Sequence, residues 1–89
     1  MAGADIRSLD LAMLRAFEAL LAERSVSKAG ARLFLSQPAV SASLKRLREV
    51  FDDPLFTRTA HGVEPTPRAL ALAPHVHAAL TEINRLFTA

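Results

Sequence analysis

Cysteine is absent from all 89 residues, which excludes disulfides and thiolate metal sites and fits a reducing compartment. No apolar run approaches the roughly 20 residues that a membrane-spanning helix needs. Residues 1–5 lack the basic segment followed by an apolar segment that marks a secretory signal. The sequence therefore predicts a cytoplasmic protein with no membrane partner.

Signs of catalysis or metal binding are also lacking. No histidine stands in a recognised catalytic pattern with a serine or aspartate, and Asp52 and Asp53 are expected to end a helix. His75 and His77 are two positions apart, so on a helix their side chains would point about 200° apart and could not hold one metal ion. We expect no enzyme activity, no metal and no cofactor.

The composition is that of one small globular domain. Hydrophobic residues make up 51% of the chain, too many for a disordered tail, yet 89 residues build only a limited core, so a stabilising partner is expected. The net charge of +2 decides little, but residues 27–48 hold five basic residues and no acidic one. Positive charge on one side of a helix pair joined by a tight turn is what a DNA-reading element needs.

Three helices are predicted in the first half of the chain from apolar spacing and capping residues. The first follows Ser8 and ends near Glu23, and the second is capped by Ser27. The third is capped by Ser36, has a proline in its first turn, and ends at Asp52-Asp53-Pro54. Its core stripe, at i, i+4, i+7 and i+11, is Val40, Leu44, Leu47 and Phe51.

A hairpin and a fourth helix are predicted to follow. Residues 55–58 and 63–65 read as short strands around a turn, and a helix from Thr66 to about Phe87, kinked at Pro74, comes next. This helix carries a near-heptad apolar seam that we expect to pair with a second copy, with folding of the seam back onto the domain as the alternative. The seam comprises Leu72, Val76, Ala79, Leu80, Ile83, Leu86 and Phe87.

Several separate blocks, in order and spacing, resemble the N-terminal domain of LysR-type transcriptional regulators; they are residues 33–41, 44–48, 54–58, 62–63 and 65–67. The resemblance spans about Leu9 to Leu86. It implies a mainly α fold, with a winged helix-turn-helix over residues 1–65 and a linker helix over 66–89 that pairs with its twin. It also implies sequence-specific binding of a homodimer to an interrupted palindrome in bacterial promoter DNA.

The resemblance has further implications for the whole protein. Family members carry a large C-terminal domain that binds a small-molecule inducer and sets a tetramer, and this chain stops where the linker helix would end. We therefore expect the chain to be a fragment or an isolated DNA-binding part, from a protein that works in the cytoplasm at the bacterial nucleoid.

The residues that match family contact positions receive roles by the same resemblance. Gln37 and Pro38 would enter the major groove, where a glutamine amide can pair with adenine N6 and N7. Lys28, at the start of the second helix, would contact phosphate, and Arg58 on the wing would lie against the minor groove or its phosphates. The full set of expected DNA contacts is Ser27, Lys28, Ser36, Gln37, Pro38, Ala39, Ser41, Ala42, Lys45, Arg46, Arg58 and His61.

One position departs from the pattern. Many relatives have arginine where this chain has Ala42, and alanine cannot pair with guanine as arginine does. We therefore expect weaker direct readout of guanine and more reliance on thymine methyls, DNA shape and the wing.

Other interpretations of these residues stay open at this point. Ser27 and Ser36 are helix caps first, and Gln37 would pass for an ordinary surface residue without the surrounding blocks. The alternative function is a protein-interaction module that has the helix-turn-helix shape but does not bind DNA. The lack of acidic residues between Lys28 and Arg48 speaks against that alternative.

Overall fold

The computed structural model describes residues 5–89, so the segment on which the absence of a secretory signal rests lies almost wholly outside the described residues. A short 3-10 turn at Ile6–Ser8 precedes the main elements. These are α1 (Leu11–Glu23), α2 (Val26–Leu33), α3 (Gln37–Phe51), β1 (Phe56–Thr59), β2 (Gly62–Pro65) and α4 (Pro67–Arg85). The predicted architecture, mainly helical with one short antiparallel hairpin, is confirmed.

Two of the four predicted helix caps are right. The Ser36 hydroxyl accepts from the Ala39 N–H at 3.3 Å, and the Thr66 hydroxyl accepts from the Ala69 N–H at 3.1 Å. Each of these caps is followed within two residues by a proline, which marks the helix start in the sequence as well.

The other two caps were placed wrongly. Asp10, not Ser8, caps α1 and accepts from Met13 N–H at 2.8 Å. Ser25, not Ser27, caps α2, because Arg24 adopts a left-handed conformation at φ 56° that ends α1 and turns the chain at once. Ser27 therefore lies inside the first turn of α2, with its hydroxyl 3.2 Å from that of Ser25.

The core forms around α1, which packs against α2, α3 and α4. Phe17 of α1 meets Phe56 of β1 edge to face, with ring centroids 5.5 Å apart, so the hairpin is anchored in the same core as the helices. The predicted stripe on α3 is buried at Val40, Leu44 and Leu47, and partly buried at Phe51.

The apolar seam of α4 is divided between the domain's own core and solvent. Val76 is buried, with 7% of its surface exposed, and Leu72 and Leu80 pack partly against the core. Val76 is thus covered by its own domain, as in the alternative in which the seam folds back, and its part in a dimer stays a prediction. Leu86 and Phe87, at the end of the helix, stay 74% and 83% exposed.

Pro74 lies inside α4 without ending it, as predicted, since the helix continues to Arg85. Among residues 5–89, no helix combines the length and the hydropathy that crossing a membrane requires.

Candidate nucleic-acid interface

The turn between α2 and α3 fixes the angle at which these two helices meet. Phe34 ends α2 in the left-handed region at φ 58°, and Leu35 N–H donates back to the Gly30 carbonyl at 2.8 Å. A Cβ at Gly30 would stand 2.7 Å from the Leu35 carbonyl oxygen, so the turn lies directly against the glycine. This close approach makes α2 and α3 one rigid unit, as a helix-turn-helix requires.

The face of α3 opposite the core is open to solvent from its first turn onward. Its core side is held by Val40, Leu44 and Leu47. The predicted groove-reading residues lie together on the open side, and Gln37, Pro38, Ser41, Ala42 and Lys45 are exposed, whereas Ala39 is half-buried. The side chains expected to read bases are therefore presented on one helix face.

The basic side chains of α2 and α3 differ in whether they already pair with a carboxylate. Arg46 contacts Asp10 at 3.1 Å and Arg32 contacts Glu23 at 3.2 Å. Lys28 and Lys45 form no ion pair with any of the residues that the structure describes, and both are exposed. Free ammonium groups on Lys28 and Lys45 are thus available to an anion without breaking a contact.

The start of α2 lies next to Lys28 and carries two serines. Ser25 uses its hydroxyl to cap the Lys28 N–H at 3.2 Å, so Ser27 is the serine whose hydroxyl is not committed to a helix cap. Ser36 is exposed but its hydroxyl is engaged as the cap of α3.

The hairpin docks on the turn between α1 and α2. Val63 N–H donates to the Arg24 carbonyl at 3.0 Å, and Gly62 has φ 141°, a conformation that side chains rarely adopt. A Cβ at Gly62 would stand only 2.1 Å from the Arg24 oxygen. The backbone of the hairpin therefore lies directly against the Arg24 carbonyl, with no room for a side chain at residue 62.

Arg58 and His61 are exposed on this hairpin, as predicted for a wing. Arg58 is opposite Val63 in the strand register, and His61 lies in the turn, where its N–H donates to the Thr59 hydroxyl at 3.2 Å. Arg58 forms no ion pair with another residue between 5 and 89.

Two side chains that support this surface, Arg48 and Asp53, are not among the predicted DNA contacts. Arg48 donates from Nε to the Pro54 carbonyl and from Nη2 to the Phe56 carbonyl, both at 2.8 Å. The Asp53 carboxylate accepts from the Thr66 hydroxyl at 2.7 Å and the Leu55 N–H at 2.8 Å. The aspartate directly before proline was a signal for a helix end, but its partners could not be read from spacing.

These bonds also act on the acidity of Asp53. The Thr66 hydroxyl bond, and then the Leu55 N–H bond, lower the pKa of this carboxyl below its ordinary value of 3.8. The carboxylate thereby joins the end of α3 to the cap of α4.

The histidines do not form a metal site. His77 lies 3.1 Å from Glu18 across α1 and α4, and the described residues contain no group of three or more potential ligands.

Together, two helices joined by a tight turn, each with one free lysine, a solvent-facing side on the second of them, and a hairpin with an exposed arginine define a winged helix-turn-helix DNA-binding domain. The family model described as "bacterial regulatory helix-turn-helix protein, lysR family" matches residues 11–70. The chain belongs to this family, and it is a DNA-binding domain of a transcription regulator rather than an enzyme.

Individual relatives agree with this assignment. The chain is 54% identical to the transcriptional activator NagR of a Ralstonia species over 84 residues, which is 94% of this chain and 28% of that protein. It is 51% identical to nodulation protein D 2 of Sinorhizobium fredii over 78 residues, 88% of this chain and 25% of the relative. The chain thus spans about a quarter of the length of these relatives.

Solved structures share the fold. A probable transcriptional regulator of Pseudomonas aeruginosa superimposes with a TM-score of 0.83 at 42% identity, over 90% of this chain and 27% of that one. The DNA-binding domain of BenM, solved in complex with catB site 1 DNA, has a TM-score of 0.83 at 26% identity and is matched over 90% of each chain.

Proposed function

We propose that this domain binds double-stranded promoter DNA as a homodimer and reads its sequence with α3 in the major groove. The observation that carries the proposal is the exposed face of α3, where Gln37, Pro38, Ser41 and Ala42 stand side by side opposite the buried stripe. An α-helix fits the major groove, and its exposed amide, hydroxyl and methyl groups are those that distinguish base edges there.

The free cations supply the sequence-independent part of the proposed binding. Lys45 lies on the exposed face of α3, Lys28 is exposed on α2, and Arg58 is exposed on the hairpin. Contacts from these groups to phosphates release counterions, so affinity falls as salt rises. We also propose contacts to the DNA backbone from Ser27, Ser36 and Arg46. We propose that Ala39 contacts DNA at the start of α3 and that His61 does so at the tip of the wing.

Pairing of two copies through α4 is the second part of the proposal. The end of α4 borders a groove of about 450 Å³ that α1 and the end of α2 also line. Its lining is mixed, with apolar Leu11, Leu33, Leu80, Ile83 and Phe87 beside the polar and charged Arg15, Glu18, Arg32 and Asn84. Leu86 and Phe87 expose large apolar surfaces at the end of α4, and Ala79 is exposed along the same helix. A second α4 laid against this end would cover them, and would set two copies of α3 about one DNA turn apart, roughly 34 Å.

Further properties of the whole protein are also proposals. We propose that residues 1–65 act as the DNA-binding unit and 66–89 as the linker helix, that the protein works in the cytoplasm, and that an inducer-binding domain and a tetramer belong to the longer protein. The alternative function, an interaction module that does not bind DNA, is supported by the apolar end of α4 alone.

The test is selection of DNA from a random duplex pool by this chain, with a salt titration. Enrichment of an interrupted palindrome supports a sequence-reading dimer. Retention of unselected DNA would mean binding through charge alone, and loss of retention even at low salt would favour the interaction module.

Two variants separate sequence reading from charge. Gln37→Ala should weaken binding to the selected site by roughly 1–3 kcal/mol and relax its specificity, because the amide would no longer pair with a base edge. Lys28→Ala should weaken all duplexes alike and make binding less dependent on salt, because the ammonium meets only phosphate. A sequence-selective loss for Lys28→Ala would contradict its assignment. Both effects are measured by fluorescence anisotropy on selected and scrambled duplexes.

A further inference from the structure

Two arginines on α3 occupy opposite flanks of its exposed face and are used differently. Arg46 and Arg48 are two positions apart, which is about 200° around a helix. Arg46 reaches toward α1 and meets a carboxylate, that of Asp10. Arg48 reaches toward the wing and meets only backbone oxygens, those of Pro54 and Phe56. Arg48 therefore links the recognition helix to the root of the hairpin.

The backbone at this root is strained. Leu55, between the two carbonyls that Arg48 binds, has φ 63°, in the left-handed region that is costly for a residue with a branched side chain. Its side chain is fully buried, which holds it in place from the core side. A conformation of this kind persists only where the surroundings determine it.

The polar groups around Leu55 are all engaged. Leu55 N–H donates to Asp53, and the Leu55 carbonyl accepts from Thr66 N–H at 2.8 Å. The Pro54 carbonyl accepts from Phe56 N–H at 2.7 Å and from Arg48. Arg48 thus supplies one of the bonds on each side of the strained residue.

The Phe56 carbonyl depends on Arg48 in particular. Val63 N–H points away from β1 to the Arg24 carbonyl, so Arg58 and Val63 are a non-hydrogen-bonded pair, and by alternation Phe56 and Pro65 are another. The Phe56 carbonyl therefore points away from β2 and receives no bond from that strand. The planar guanidinium can reach both carbonyls at once with two of its N–H groups, whereas a lysine ammonium is a single point charge on a flexible stem.

From this geometry we infer that Arg48 is a positioning residue for DNA binding: it fixes the hairpin root against α3 and so sets where Arg58 stands relative to the recognition helix. Arg58 is two residues beyond Phe56 on the same strand and the same face, about 7 Å along the chain. Any shift of the Phe56 carbonyl therefore moves Arg58 with it. The effect of Arg48 on DNA affinity rests on the proposed DNA binding. The structural half of the inference, that Arg48 fixes the hairpin root against α3, does not.

The structural half is tested without DNA. Amide hydrogen exchange of residues 56–65 is compared between the unchanged chain and Arg48→Lys, with Arg15→Ala as control. Arg15 carries the same charge, is exposed on α1 beside the end of α4, and forms no ion pair with the described residues. Exchange in the hairpin should quicken by about tenfold or more in Arg48→Lys while the α1 amides keep their protection, and it should not change in the control. Unchanged exchange in Arg48→Lys overturns the inference, whatever the chain does with DNA.

The functional half is a double-mutant cycle with Arg58 on the selected duplex. Arg48→Lys and Arg58→Ala should each lower affinity by about fivefold or more, and the double variant should bind no worse than the weaker single variant, because both remove the same contact. Additive losses would mean that Arg48 acts independently, and undiminished affinity in Arg48→Lys would mean that only its charge counts; either result overturns the inference. If the unchanged chain binds no DNA, the proposed function fails, while the exchange experiment still decides whether Arg48 holds the hairpin.

Discussion

Replacing Gly62 by alanine should detach the wing from the helix-turn-helix and cost about 2–4 kcal/mol of stability. A side chain at φ 141° carries backbone strain of about 1–3 kcal/mol. The added Cβ would also stand 2.1 Å from the Arg24 carbonyl oxygen, so the two backbones must separate and lose the bond from Val63 N–H, worth about 0.5–1.5 kcal/mol. The total is a large share of the roughly 4–13 kcal/mol expected for a domain of this size.

Urea denaturation followed by circular dichroism measures this loss. His61→Ala is the matched control, because His61 is the exposed neighbour in the same turn, and it should shift stability by about 0.5 kcal/mol or less. In Gly62→Ala the midpoint should fall with little change in slope, since the helical core is retained. A loss below about 1 kcal/mol, with the hairpin amides still protected from exchange, would refute the argument that close contact with Arg24 holds the wing.

Two further predictions concern base preference and acid stability. Ala42→Arg should add preference for guanine in a selection from random DNA, because arginine can pair with guanine O6 and N7 from the exposed face of α3, and an unchanged selected site would place residue 42 away from the bases. Asp53 has a pKa lowered by its bonds to Thr66 and Leu55, so its contribution to stability is present above about pH 4 and is lost as pH falls through the folded-state pKa. Unfolding measured from pH 6 to pH 2.5 should therefore show a smaller loss of stability in Asp53→Asn than in the unchanged chain, and equal losses would show that these bonds do not favour the carboxylate.

Local signals were enough to predict the elements of the fold, but not every boundary. The sequence predicts Ser36 and Thr66 as caps, each with a proline close after it, and both are confirmed, whereas Ser8 and Ser27 are wrong and the caps are Asp10 and Ser25. All four of these last residues are competent caps, and what decides between them is where the preceding chain turns. Before α1, Ser8 belongs to the 3-10 turn and Leu9 is extended, so the helix begins only after Asp10. Between α1 and α2, the turn is set by Arg24 in the left-handed region, a conformation that no propensity favours for arginine.

Tertiary contacts account for what the sequence could not predict on α4 and at the wing root. Val76 has the spacing of a dimer residue, yet α4 packs on α1 and buries it. Periodicity predicts that a helix face is apolar and cannot tell whether the cover comes from the same chain or from another. The partners of Arg48 were hidden for a related reason, since they are carbonyl groups whose direction depends on the turn at Leu55.

The same limit applies to the basic residues of the helix pair, which look equivalent in the sequence. Arg48 donates its N–H groups to backbone carbonyls. Arg46 already pairs with a carboxylate, but this ion pair is about half exposed and adds little to stability in water. A phosphate can therefore draw Arg46 away at small cost, but it cannot recruit Arg48 without loosening the wing. Of the basic residues on α2 and α3, only Lys28 and Lys45 have no side-chain partner among residues 5–89. The positive charge of this surface is thus divided, because Lys28 and Lys45 are free to meet an anion whereas Arg48 is bonded to the backbone at the root of the hairpin.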